Sequence, residues 1–94
     1  MKAKMVVLFA HWCPKCNMMM PIVDEAEARY GERLQVVRID VEKNPGTMER
    51  YEAEIIPTFI LYKDDREVGK MAGMIGEKTI YGRIDRLFQN GDNI

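Results

Sequence analysis

A continuous apolar segment, followed closely by a cysteine pair, limits the folds that are open to this chain. Residues 4–10, KMVVLFA, are rich in β-forming residues, a pattern typical of a strand covered on both faces in a parallel sheet. The sequence CPKC begins three residues later, and Pro14 suits the first turn of a helix. The sequence therefore predicts a strand, a short turn that carries two thiols, and a helix.

An amphipathic helix is predicted after the cysteine pair. Apolar residues recur at helical spacing from Met19 to Tyr30, while charged residues fill the opposite side. Gly31 is a suitable residue for the end of this helix. Pro21 is expected to kink it, because the proline ring clashes with the carbonyl group four residues back.

Three further strands are predicted in the rest of the chain. Residues 34–41 have the composition of a strand, and their polar insertions indicate a position at the edge of the sheet. Residues 58–62 and 67–73 flank the turn sequence KDDR, so we expect them to form an antiparallel hairpin.

Two more helices complete the expected set. Asn44 and Pro45 are predicted as the N-cap and first residue of a short helix that ends near Ala53. A final amphipathic helix is set by Ile80, Ile84, Leu87 and Phe88. Residues 88–94 are predicted to form a frayed tail.

The order β-α-β-α-β-β-α predicts an α/β fold. A strand–helix–strand start implies a right-handed parallel crossover, and the hairpin then adds antiparallel pairing to the same sheet. We expect a four-stranded mixed sheet with helices on both faces. Ninety-four residues suit one domain, so residues 1–94 are predicted to be a single domain.

Composition and charge exclude several classes of function. The net charge of −1 gives no field that would attract nucleic acid or an anionic membrane surface. No segment approaches the roughly 20 apolar residues of a membrane helix, and the apolar start is too short for a secretory signal. A reducing cytoplasm is therefore the expected location, and there a cysteine pair is more often catalytic or metal-binding than structural.

The two cysteines are chemically unequal in the expected context. Cys13 would lie at a helix N-terminus, where unpaired amide groups, the helix dipole and nearby Lys15 favour a thiolate. Cys16 would face the same side but lie deeper, so its pKa should be higher. Cys13 could then attack a disulfide, and Cys16 could resolve the mixed disulfide that forms.

Other readings of the cysteine pair are open at this point. A structural zinc site needs about four ligands, whereas this chain offers two cysteines and His11, the only histidine. No metal ligands are therefore predicted, and a metal-binding protein is a less favoured alternative. Two inert, buried cysteines in a binding module are a further alternative. His11 itself could be an acid–base group, but an exposed residue that tunes the local field is the simpler expectation.

Four segments together resemble the thioredoxin superfamily, and its thioredoxin branch more closely than its glutaredoxin branch. They are FAHWCPKCNMMMP, IDVEKNPG, IIPTFILYKDD and VGKMAG, which fall in register without gaps. The resemblance implies a minimal thioredoxin fold and a dithiol–disulfide oxidoreductase. It gives Cys13 the role of nucleophile and Cys16 that of resolving thiol, with a redox-active disulfide between them and no bound cofactor.

The resemblance also implies supporting and substrate-binding residues. Pro57 would be the cis-proline packed against the cysteines, and the backbone of Ile56 would pair with an extended substrate segment. The active-site support would come from Trp12, Pro14, Lys15 and Pro57. The docking surface for partner proteins would comprise Trp12, Ile55, Ile56, Gly73 and Met74.

Three departures from the family pattern matter for function. The chain begins at what would be the second strand of the family, as glutaredoxins do. Val7 stands where thioredoxins have a buried aspartate, and Arg38 stands where that aspartate has its lysine partner. Pro14, straight after the first cysteine, is the glutaredoxin arrangement. A glutathione-coupled, glutaredoxin-like enzyme is therefore the closest alternative function.

The expected partners follow from the same resemblance. They are protein disulfide substrates, together with a disulfide reductase or glutathione as the source of electrons. No nucleic-acid or membrane partner is predicted, and the expected state is a monomer.

Overall fold

The computed structural model describes residues 2–89 and contains one mixed sheet. Its strands are β1 (Ala3–Phe9), β2 (Leu34–Asp40), β3 (Thr58–Lys63) and β4 (Arg66–Ala72), in the order β2-β1-β3-β4. β1 pairs parallel with β2 and antiparallel with β3, and β3 pairs antiparallel with β4. The predicted four-stranded mixed sheet is confirmed, and β2 lies at the edge, as its polar residues indicated.

Three α-helices accompany the sheet in the described part of the chain. They are α1 (Pro14–Tyr30), α2 (Thr47–Arg50) and α3 (Glu77–Leu87), with one 3-10 turn at Gly31–Arg33. α1 includes Pro21 and ends at Tyr30, and its C-cap residue Gly31 has a φ of 56°, in the left-handed region that glycine tolerates. None of the helices within residues 2–89 has the length and apolar character needed to cross a membrane.

The central strand β1 is buried on both of its faces, which explains why its sequence is continuously apolar. Met5 and Val7 belong to the cluster that α1 and α3 cover. Val6 and Leu8 belong to a second cluster on the other face, to which Met48 of α2 contributes. Helices therefore pack on both faces of the sheet, and the cysteine pair follows the end of its best-buried strand.

The predicted start and end of α2 are wrong. The helix begins at Thr47 with Gly46 as its N-cap residue, not at Pro45, and it ends at Arg50 rather than near Ala53. No side-chain hydrogen bond caps α2, and the amide of Asn44 instead donates a hydrogen bond of 2.9 Å to the carbonyl oxygen of Asp40.

The predicted frayed tail is wrong at its first residue. Phe88 stacks on Tyr30, with ring centroids 5.8 Å apart, and packs against the core of the α1 and α3 face. Residues 90–94 of the predicted tail lie outside the described residues.

Candidate active site

The end of β1 positions the turn that carries the two cysteines. Ala10, directly after β1, is fully buried, and its carbonyl oxygen accepts a hydrogen bond of 3.2 Å from the backbone N–H of Cys13. Cys13 has extended backbone angles and is the N-cap residue of α1, with Pro14 as the first residue of the helix. The turn therefore fixes the Cys13 side chain at the N-terminus of α1, as the sequence predicted.

The sulfur of Cys13 contacts two backbone groups. It accepts a hydrogen bond of 3.1 Å from the N–H of Cys16, one of the helix amides that would otherwise lack a partner. On its other side, the thiol lies 4.0 Å from the carbonyl oxygen of Ile56, within reach of a weak S–H donor. Helix amide groups stabilise negative charge, so this position suits a sulfur that must become an anion.

Cys16 lies deeper than Cys13, in apolar surroundings. It is 1% exposed, against 5% for Cys13, and both cysteines are free thiols. Phe9, Val41 and Ile56 pack against the cluster that both cysteines form with Ala10. Burial, followed by the hydrogen bond with Cys13 and the charge of that residue, raises the pKa of Cys16 to about 11. The predicted high pKa of the second thiol is therefore confirmed.

The segment before β3 forms the opposite wall of the site. The Ile56–Pro57 peptide bond is cis, and Pro57 is buried. The carbonyl oxygen of Pro57 accepts a hydrogen bond of 2.8 Å from the N–H of Gly73, which has a φ of 84°. Thr58 donates a side-chain hydrogen bond of 2.6 Å to the Ile55 carbonyl oxygen, so the whole segment is fixed beside the cysteines.

The predicted docking surface divides into exposed and covered residues. The side chains of Trp12, Ile55 and Met74 are 62%, 51% and 49% exposed, so they offer apolar surface to a partner. Ile56 is half-buried and Gly73 is buried. Gly73 therefore shapes the backbone of this region rather than offering apolar surface.

The site also contains a residue that the sequence analysis missed. Asp40 ends β2, and its carboxylate lies 3.4 Å from Nε2 of His11, which packs edge-on against Phe9. His11 is exposed, as expected, but Asp40 is not, since their side chains are 74% and 11% exposed. The parallel pairing of Phe9 with Asp40 could have indicated this contact, because parallel strands end at the same edge of a sheet.

Arg38 has different partners from those that the family pattern would give it. It pairs across the sheet with Val7, which offers no charge, and its guanidinium turns to two carboxylates of α1. The nitrogen Nη2 lies 2.6 Å from Asp24 and 3.1 Å from Glu27. The hydrogen bond with Glu27 is the main reason that the pKa of Arg38 is raised.

The described residues offer no obvious place for a metal ion. Within residues 2–89, no group of three or more histidine, cysteine, aspartate or glutamate side chains is arranged to hold one. The chemistry that the geometry supports is that of the two thiols.

Comparison with known proteins gives the same fold and chemistry. Residues 1–86 match the family model described as Thioredoxin. The chain is 32% identical over 83 residues to a thioredoxin of Staphylococcus aureus, which covers 88% of this chain and 80% of that protein. It is 37% identical over 84 residues to the chloroplastic thioredoxin Y1 of Arabidopsis thaliana, which covers 89% of this chain but spans about half, 49%, of that longer protein.

A solved structure shows the same similarity in three dimensions. The germline-specific thioredoxin Deadhead of Drosophila melanogaster superposes with a TM-score of 0.84 at 28% sequence identity. The superposition covers 92% of this chain and 81% of that one. These matches are to thioredoxins, and they do not favour the glutaredoxin alternative that the short start and Pro14 had raised.

Proposed function

This chain belongs to the thioredoxin family of dithiol–disulfide oxidoreductases, and from that premise we propose that it reduces disulfide bonds in protein substrates through Cys13 and Cys16. The observation that carries the proposal is the position of the Cys13 sulfur. It accepts the N–H of Cys16 at the start of α1, while the more buried Cys16 lies one helical turn further along.

In the first step, the Cys13 thiolate attacks one sulfur of the substrate disulfide. The substrate S–S bond breaks, its second sulfur leaves as a thiolate that takes up a proton, and a mixed disulfide joins Cys13 to the substrate. The helix amide at Cys16 stabilises the anionic sulfur before the attack. The Ile56 carbonyl beside Cys13 offers a backbone acceptor to an extended substrate segment.

In the second step, Cys16 loses its proton and attacks the Cys13 sulfur. The mixed disulfide breaks, the substrate leaves as a dithiol, and Cys13 and Cys16 are oxidised to a disulfide. Burial is the main cause of the raised pKa of Cys16, and the hydrogen bond with Cys13 and the charge of that residue add to it. Both contributions from Cys13 disappear once it is bonded to substrate, so the pKa of Cys16 falls at the step that needs its thiolate.

The proposed substrates are proteins because large apolar side chains are exposed in the segments that flank the dithiol and the Ile56–Pro57 bond. Trp12, Ile55 and Met74 are exposed, and such residues are enriched where proteins bind one another. A disulfide reductase would return two electrons to the Cys13–Cys16 disulfide. A reducing cytoplasm and a monomeric state remain part of the proposal, since the dithiol must be kept reduced and needs no second chain.

The test is reduction of insulin by dithiothreitol, run beside a glutathione-coupled assay with glutathione reductase. We expect this chain to accelerate the first reaction and not the second. Cys13→Ser is the matched control, and it should reduce the insulin rate to that of dithiothreitol alone. Activity only in the glutathione-coupled assay would contradict the proposal and would favour the glutaredoxin-like function.

A further inference from the structure

A groove lined by basic side chains lies at the end of the sheet opposite the two cysteines. It has a volume of about 300 Å³ and lies between the hairpin of β3 and β4 and the helix α3. Its basic lining consists of Lys63, Arg66, Arg83 and Arg86, and its apolar lining of Leu61, Val68 and Leu87. Lys63 pairs with Ala3 at the start of β1, whereas the cysteines follow the end of that strand.

Within the part of the chain that the structure describes, the arginines of this groove have no acidic partner. Within residues 2–89, no carboxylate lies within ion-pair distance of Arg66, Arg83 or Arg86, and no side chain that lines the groove is acidic. Arg38, by contrast, is held by two carboxylates. Like charges brought together in a groove repel one another, and a bound anion would relieve that repulsion.

One of these arginines lies close against the backbone of β4. If Gly69 of β4 carried a Cβ atom, that atom would lie 3.0 Å from Nη2 of Arg83. The absence of a side chain at Gly69 therefore lets the guanidinium lie against the strand, where Arg83 is half-buried. A cation that is already positioned loses less side-chain freedom when it binds an anion.

The groove also has features that fit a polypeptide better than a small ion. Val68 is 46% exposed and gives the groove an apolar surface. β4 is the outermost strand of the sheet, and edge strands can pair with extended segments of other proteins. The basic residues come from both the hairpin and α3, so several carboxylates along a chain could be bound at once, in the bidentate geometry that arginine favours.

We propose that this groove binds an acidic, partly apolar segment of a partner protein, lying along β4. The carboxylates of that segment pair with Arg66, Arg83 and Arg86, and its apolar side chains contact Val68. Because the groove and the cysteines lie at opposite ends of the sheet, a partner held here leaves Cys13 open to a disulfide. The site is thus independent of the proposed reaction and could hold a partner while the dithiol works.

The test measures binding of a short fluorescent peptide that alternates glutamate and leucine, by anisotropy at low salt. We expect a Kd below about 1 mM, and at least about tenfold weaker binding in Arg83→Gln/Arg86→Gln. Lys43→Gln/Arg50→Gln removes the same charge from another part of the surface and should change the Kd by less than about twofold. Val68→Ser should weaken binding by about two- to fivefold.

Several results would overturn the proposal. They are an unchanged Kd in Arg83→Gln/Arg86→Gln, an equal loss in both double variants, and equal binding of a peptide with glutamine in place of glutamate. Displacement of the peptide by an equal concentration of inorganic phosphate would also overturn it, since the groove would then hold any small anion. Thermal unfolding and insulin reduction should be unchanged in every variant, and Arg66→Gln replaces any variant that does not fold.

Discussion

Ionisable groups at the cysteine pair and at the neighbouring edge of the sheet lie in opposite environments. At the end of β1, Cys16 is 1% exposed among apolar residues, and burial is the main cause of its raised pKa. At the edge strand β2, Arg38 remains partly exposed and is held between the carboxylates of Asp24 and Glu27. The Cys16 thiol is thus kept neutral by the loss of water, whereas the charge of Arg38 is paired with carboxylates at the surface.

Val7 carries no charge that would couple the ionisation of Cys16 to Arg38, so it separates these two regions electrostatically. It lies opposite Arg38 in the pairing of β1 with β2, and it is buried in the core that α1 and α3 cover. The family resemblance gives this position a buried aspartate, which would bring a charge and a proton acceptor into the interior. With valine there, desolvation and the neighbouring Cys13 govern the ionisation of Cys16, while Arg38 bonds to α1 instead.

The largest expected effect comes from joining the two regions with Val7→Asp. A carboxylate at this buried position loses its hydration, so we expect a loss of about 3–4 kcal/mol in the free energy of unfolding at pH 8. Burial raises the pKa of such a carboxyl group, so the loss should be smaller at pH 4, where the group is neutral in the folded state. Urea unfolding at both pH values measures this difference.

Val7→Asn is the matched control for this prediction. The amide is polar and similar in size to the aspartate but does not titrate, so its cost should be the same at pH 4 and pH 8. An equal cost for Val7→Asp at both pH values would mean that the position can accommodate a charge, and the separation of the two regions would be disproved.

The second prediction concerns stability at alkaline pH. The pKa of Cys16 is about 11 in the folded chain and 9.0 for an ordinary thiol, so the unfolded chain loses this proton first as pH rises. The contribution of protonated Cys16 to the free energy of unfolding is fully present below pH 9 and is lost as pH approaches 11. We expect a decrease of about 2–3 kcal/mol in the free energy of unfolding across this window. Urea unfolding of the reduced protein at pH 8 and pH 11 measures it.

Cys16→Ser separates this contribution from the titration of other groups. Burial also raises the pKa of Tyr30, to about 12, so the variant should still lose stability at high pH, but with a smaller decrease between pH 9 and pH 11. The same alkaline decrease in both proteins would show that Cys16 does not respond to its burial in this way.

Tyr30 is intermediate between Cys16 and Arg38, because it is buried like Cys16 but bonded to a charged residue, as Arg38 is. Its hydroxyl group donates a hydrogen bond of 2.7 Å to Asp85 and lies 3.3 Å from the Tyr81 carbonyl oxygen. We expect Tyr30→Phe to lower the free energy of unfolding by about 1–2 kcal/mol at pH 7. Asp85→Asn, measured in the same urea titration, should cost less because a neutral acceptor is retained, and an equal or larger cost would contradict this view of the pair.

The smallest expected effect comes from the surface charge cluster. Arg38→Gln removes ion pairs with two exposed carboxylates, whose side chains are 68% and 48% exposed, so we expect a cost of about 1 kcal/mol or less. The cost should decrease further in high salt, which screens exposed charges. A larger cost that does not change with salt in thermal unfolding would mean that Arg38 has a role in the core after all.

Local sequence patterns were sufficient for much of the fold and for the central part of the site. The apolar run of β1 and the helical spacing after CPKC predicted the Cys13 position at the start of α1. The start of α2 was not predictable in the same way, because the helix begins at Thr47 without a side-chain cap. The side chain of Asn44 bonds back to the Asp40 carbonyl, a contact that depends on how the loop folds.

Contacts between distant parts of the chain account for the features that sequence analysis missed. The pair of His11 and Asp40 depends on the register between β1 and β2, and the stacking of Phe88 on Tyr30 depends on the packing of the chain end against α1. The partners of Arg38 likewise come from the packing of α1 against the sheet. Spacing along the sequence carries little information about such pairs, since neither partner is identifiable until both elements are in place.

Cys13 is proposed to attack the substrate and Cys16 to resolve the mixed disulfide, and mass spectrometry of trapped complexes distinguishes these two roles. Reduced Cys16→Ser and Cys13→Ser are each mixed with a disulfide-linked peptide and quenched in acid. We expect Cys16→Ser to accumulate a covalent adduct with one half of the peptide, because no second thiol resolves it. An adduct that forms on Cys13→Ser and not on Cys16→Ser would mean that the two roles are reversed.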